Sequence, residues 1–153
     1  MEIRRGAVDY GATGAQLWSP YFLGLLAEAQ GKAGQATTGL SVAADALDRV
    51  ARTGARWIEA DLQRIRGELL LLLPEPQRLG AEACFGRAIV VAREQGARLW
   101  ELRAATSLAR LWFGCGKRQE ARDLLAPVYS WFTEGFDTRD LKEAKALLDA
   151  LAV

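Results

Sequence analysis

The chain has 153 residues, 50% of them hydrophobic and 25% charged, with a formal net charge of +1. That composition excludes a disordered chain, and the length suffices for one domain that buries roughly 70% of its unfolded surface. The charge balance argues against nucleic acid as the main partner, which draws on an excess of Lys and Arg, and the absence of histidine removes the commonest metal ligand and the commonest general base.

Residues 1–14 read as the tail of a helix. Gly6 stands eight residues before Gly14, as Ala46 stands before Gly54 and Ala88 before Gly96. The chain therefore opens partway through a repeating unit. A solenoid needs polar capping units at its ends, so the expectation is a piece of a longer array within a multidomain protein. Ser19-Pro20 then predicts an N-cap followed by a proline at the first helical position. The first A helix runs from about residue 20 to 32, with Phe22, Leu23, Leu25, Leu26 and Ala29 at helical spacing. Gly34 ends it. The first B helix covers about 36–52 and closes at Thr53-Gly54.

The plan repeats. An A helix is expected over 56–73, stopped by Pro74 and Pro76, with a B helix over 77–94 closed by Gly96. A third A helix covers 99–113, and Gly114-Cys115-Gly116 forms the turn. Its B helix covers 118–132, with Pro127 predicting a kink or a displaced start. After Gly135, Thr138 is expected to cap a last helix carrying Leu141, Ala144, Leu147, Leu148 and Leu151 on its apolar face.

One phrase recurs through these elements. Gly14-Ala15, Gly54-Ala55 and Gly96-Ala97 each precede an A helix, and a small residue follows thirteen positions after each glycine: Ala27, Gly67 and Ala109. The period is 40 residues, then 42. Within the B helices Gly39, Ala43 and Ala46 correspond to Ala81, Phe85 and Ala88, and to Ala121, Leu125 and Val128. Small residues let backbones approach, and the larger middle residue fills the groove between neighbours. The fold class is all-α, one domain over 1–153. Its parts are a partial B helix over 1–14, repeats over 15–54, 55–96 and 97–135, and a C-terminal capping helix over 136–153.

These spacings resemble the tetratricopeptide (TPR) repeat. Leu108-Ala109, Trp112, Gly116 and Ala121 follow that family's leucine-small, aromatic, glycine and alanine pattern in order. The period exceeds the family's usual length, and the proline that usually follows helix B is absent. A closer likeness covers most of the chain. Pro20-Tyr21-Phe22-Leu23, Arg66-Gly67-Glu68-Leu69-Leu70, Trp100-Glu101-Leu102-Arg103-Ala104-Ala105 and Tyr129-Ser130-Trp131-Phe132-Thr133-Glu134-Gly135-Phe136-Asp137-Thr138 carry it. They are similar to the C-terminal repeat region of large bacterial signalling proteins described as predicted ATPases or class III adenylate/guanylate cyclases. The resemblance implies a right-handed α-α superhelix of TPR-like hairpins, non-catalytic by itself, with any ATPase or cyclase activity in other domains. It also implies a concave face lined by A-helix positions six and three before the small residue and one after it. Transferred to this chain, these are Tyr21, Gly24 and Glu28; Asp61, Arg64 and Glu68; and Arg103, Thr106 and Arg110. Arginines there could fork onto a partner's carboxylate, or pair with Asp61, Glu68 and Glu28.

Other chemistry finds little support. Gly31-Lys32-Ala33 and Gly116-Lys117-Arg118 lack the hydroxyl residue and leading glycine of a phosphate loop. Glu59 with Asp61, or Asp137 with Asp140, could be imagined as an acid–base pair, but solvated faces and capping explain them better. Cys84 and Cys115 have no ligand-spaced partner and read as small buried residues in a reducing cytoplasm. No metal or cofactor is expected. The five tryptophans, Trp18, Trp57, Trp100, Trp112 and Trp131, read as core aromatics rather than as a stacking platform for single strands. No leader or membrane segment is visible. Three functions remain open: a protein- or peptide-binding scaffold, which includes docking other domains of its own protein; a homo-oligomerisation module, with the half repeat at 2–12 as the pairing face; or a small-molecule sensor controlling an upstream catalytic domain.

Overall fold

The structure, a computed structural model, describes residues 19–153. The described residues form seven α-helices and no strand: α1 (Ser19–Lys32), α2 (Ala36–Thr53), α3 (Glu59–Leu71), α4 (Arg78–Glu94), α5 (Arg98–Gly114), α6 (Arg118–Ser130) and α7 (Arg139–Ala152). The chain is therefore all-α, as its periodicity requires. The partial helix expected over 1–14, the first Gly-Ala pair and Trp18 lie outside the described residues.

Glycine sets the breaks. Gly34, Gly54, Gly96, Gly116 and Gly135 all have positive φ, between 64° and 81°, where a Cβ is strained. Three of these turns share one hydrogen-bond pattern. The residue after the glycine donates its N–H to the carbonyl five residues back: Gln35 to Gln30, Ala97 to Ala92 and Lys117 to Trp112, at 2.8–2.9 Å. This closure satisfies the orphan carbonyls of the last helical turn.

Several local expectations are corrected. Ser19 is helical rather than a cap, and its hydroxyl accepts a 2.8 Å hydrogen bond from Arg49 of α2. The second A helix begins with a short 3-10 turn at Arg56–Ile58 before the α-helix starts at Glu59. Thr138 sits at the N-cap of α7 with extended backbone, but its hydroxyl donates to the Gly135 carbonyl at 2.7 Å instead of serving the helix. Helix α6 starts at Arg118 and continues through Pro127 to Ser130. Of the apolar residues at helical spacing in α1, Leu25 and Ala29 are exposed.

Each helix packs against the next in sequence. In addition α1, α3, α5 and α7 pack on one another in a row, whereas α2, α4 and α6 make no comparable contacts among themselves. The odd helices thus form an inner row and the even helices an outer one. The close approaches fall where small residues were expected. Ala27, Ala43, Ala46, Ala81, Phe85, Ala88, Ala109, Ala121 and Leu125 have no exposed surface at all. Gly67 of α3 lies so near Phe85 of α4 that a Cβ would meet its Cε1 at 2.5 Å. Gly39 of α2 faces the Ala27 carbonyl of α1, 2.9 Å from where a Cβ would stand.

Candidate functional site

The inner row produces a groove. Its walls come from α1, α3, α5 and α7, and it encloses a cavity of about 400 Å³. All eight side chains assigned to the concave face reach it: Tyr21 and Glu28 from α1, Asp61, Arg64 and Glu68 from α3, and Arg103, Thr106 and Arg110 from α5. Gly24 does not line it. That glycine is buried between helices, where a Cβ would stand 2.9 Å from Leu62 Cδ2, so it serves the α1–α3 contact.

Six lining residues were not anticipated: Leu25, Trp100, Ser107, Arg139, Asp140 and Glu143. Asp140 and Glu143 belong to α7, which the repeat count treated as a cap. The hidden signal was its place in the order, since the helix after a B helix takes the next inner position.

The charges in the groove pair with one another. Asp61, only 7% exposed, accepts from Arg64 Nε at 2.7 Å and lies 3.8 Å from Arg103 Nη1. Arg64 also reaches Glu28 of α1 at 3.8 Å. Arg103 donates to Asp140 of α7 at 3.0 Å, and its guanidinium lies 5.0 Å from the centre of the Trp100 ring. A chain of ion pairs therefore runs from α1 through α3 and α5 to α7. Burial alone would lower the Arg64 pKa, but the neighbouring Asp61, Glu28 and Glu68 carboxylates outweigh it and raise the value above normal. Arg64 is thus a fixed cation.

The remaining polar groups are committed to different degrees. Glu68 accepts a 2.5 Å hydrogen bond from the Ser107 hydroxyl across the α3–α5 boundary. Thr106 is buried, and its hydroxyl donates to the Leu102 carbonyl of its own helix at 2.7 Å, which turns it away from a partner. Arg110 is the least committed: its side chain is 52% exposed, with Glu143 at 3.9 Å. Beside it the groove continues into a second recess of about 390 Å³, where Gly31, Ile65, Leu69 and Leu72 add an apolar wall.

Three of the four imagined acid–base candidates are paired with arginines. Glu59 is bound by Arg56 at 2.7 Å and approached by Arg87 at 3.7 Å, while Asp61 and Asp140 are both held by Arg103. Among the described residues no group of three or more His, Cys, Asp or Glu is placed to hold a metal, and no helix is long and apolar enough to cross a membrane. Two residue assignments change. Cys84 is buried but Cys115 is exposed at the α5–α6 turn. Trp131 is 54% exposed rather than core, with Arg98 stacked 4.9 Å from its ring centre. Comparison with protein-family models, curated proteins and solved structures gives no match.

Proposed function

We propose that this chain is a right-handed superhelix of TPR-like hairpins. Its groove docks a peptide or another domain, as the recruiting or regulatory part of a bacterial signalling protein that acts by binding rather than by catalysis. The observation that carries this reading is convergence: four successive inner-row helices send side chains of both signs to one groove. Every carboxylate placed along the ion-pair chain faces a guanidinium, so none stands in the apolar isolation that turns a carboxyl into a general base. A polar groove of this kind suits a segment whose charges alternate, with an acidic side chain directed to Arg110.

An array of peptides of varied charge pattern, probed with the chain and with Arg110→Glu, tests the proposal. A peptide class retained by the chain and weakened roughly tenfold by the charge reversal, the scale of one lost charge-assisted hydrogen bond, supports the groove. No retention, or retention indifferent to Arg110→Glu, refutes it.

A further inference from the structure

The outer row carries a second surface, which does not depend on the groove. On α4, Leu79 is 85% exposed, Ala83 is exposed, Val90 is 46% exposed, and the space around Gly86 is open, with no atom beyond its chain neighbours and the adjoining helix backbone within 4 Å of where its Cβ would stand. These four residues follow spacings of four, three and four, so they fall on one stripe of the helix.

The repeats supply an internal control. Ala81 is equivalent to Gly39 and Ala121, so the stripe corresponds to Thr37, Ser41, Ala44 and Asp48 on α2, and to Gln119, Asp123, Ala126 and Ser130 on α6. At the same place in the same unit, the neighbours are mainly polar. The fold therefore does not require an apolar stripe at this position, and of α2, α4 and α6 only α4 has one.

The flanks indicate what covers it. With Leu79 and Gly86 as d positions and Ala83 and Val90 as a positions of a heptad, Glu82 is a g position and Arg87 the e position five residues on. In a parallel pair of helices, g of one chain meets e of the other. A second copy of α4 would therefore set Glu82 of each copy beside Arg87 of the other, and the stripe on itself, with Ala83 and Gly86 allowing close approach. Both flanking groups have capacity left. Glu82 uses one oxygen for the Trp112 indole at 3.0 Å, and Arg87 is 51% exposed with Glu59 at 3.7 Å.

We infer that α4 is a homodimerisation surface, pairing with α4 of a second copy in parallel about a two-fold axis. A contact of one helix per copy falls in the size range of weak, transient association, below about 1,200 Å². The dimer forms at high protein concentration or when other parts of the parent protein bring copies together.

Sedimentation over a range of concentrations up to the high micromolar tests this. The mass should rise from 16.7 kDa towards twice that value, and Leu79→Glu should hold it at the monomer value with unchanged melting. Arg87→Glu should weaken the dimer and Glu82→Arg in the same chain should restore it. In a Cys84→Ser, Cys115→Ser background, Gly86→Cys should form an intermolecular disulfide under mild oxidation. A monomer at every concentration, or a dimer indifferent to Leu79→Glu, overturns the inference. A dimer that Gly86→Cys fails to cross-link overturns the parallel register.

Discussion

Gly67→Ala probes the tightest site among the described glycines. A methyl at this position would meet Phe85 at 2.5 Å to Cε1, 2.8 Å to Cδ1 and 3.0 Å to Cζ. Carbon atoms settle at about 3.5–4.0 Å, so ring or helix must give by about 1 Å. The ring has no exposed surface through which to yield. Overpacking of this kind costs about 1–3 kcal/mol, and three ring carbons inside contact distance put the cost in the upper half of that range. Removing a glycine from a helix interior returns about 0.5–1 kcal/mol. The net expectation is a loss of about 1–2 kcal/mol, or a melting temperature lower by about 3–8 °C for a domain of this size. Gly86→Ala is the control, because it gains the same helix propensity in open space on α4; it should raise the melting temperature. Thermal unfolding followed by circular dichroism at low concentration reads both signs. Gly67→Trp should unfold the central hairpin outright. If Gly67→Ala and Gly86→Ala both raise the melting temperature, propensity outweighs packing and the α3–α4 contact has been misjudged.

Four further outcomes are expected. Gly39→Ala should lower stability by about 1–3 kcal/mol, because its Cβ meets the Ala27 backbone carbonyl, which cannot rotate away; urea unfolding measures it. Arg93→Ala should cost more than Glu101→Leu. The first leaves a carboxylate 3% exposed with Arg98 at 3.4 Å as its remaining cation among the described residues, whereas the second frees two guanidiniums that water already reaches; paired urea titrations give the order. A thiol reagent should modify Cys115 at once and Cys84 only slowly, since Cys84 is buried and Cys115 exposed. Burial, partly offset by Arg66, also raises the Cys84 pKa above 9.0. The folded state therefore holds that proton more tightly than the unfolded chain, and stability should decline as pH rises through 9 and above; Cys84→Ala should flatten that decline.

Much of the fold was legible because it rests on local rules. Glycines at the helix ends and a repeat near forty residues fix where the chain turns, whatever the partners are. Ala27, Gly67 and Ala109 could be placed because a period marks equivalent positions without any knowledge of the contact. Ser19 and Thr138 show where local rules stop: each has the right residue type for a cap, yet a tertiary partner in one case and the preceding turn in the other takes the hydroxyl. The groove positions on α1, α3 and α5 were those the family resemblance implied, not ones the period alone could give, and Gly24 among them turned out to serve a helix contact instead. Asp140 and Glu143 were not among them, because nothing in a single helix says which neighbours it will face. Trp131 and Cys115 were misjudged for a related reason. Their residue types usually seek the interior, but both sit where a helix ends and the chain leaves the core.

The pairing inside the groove also decides which arginines remain available for recognition. Arg64 and Arg103 tie neighbouring inner helices together through Asp61, Glu28 and Asp140. Drawing either one onto a ligand would leave Asp61, almost fully buried, with one partner fewer, and an uncompensated buried carboxylate costs several times what an exposed pair returns. Arg110 carries no such obligation: among the described residues its ion-pair partner is Glu143, itself 43% exposed and held by Arg139 at 2.8 Å. Reversing Arg64 should therefore lower stability and affinity together, while reversing Arg110 should lower affinity alone. Melting curves and peptide binding measured on the two variants separate the ties from the contact. Equal effects on both quantities for both residues would mean that the groove charges act as one structural unit, with recognition placed elsewhere on the molecule.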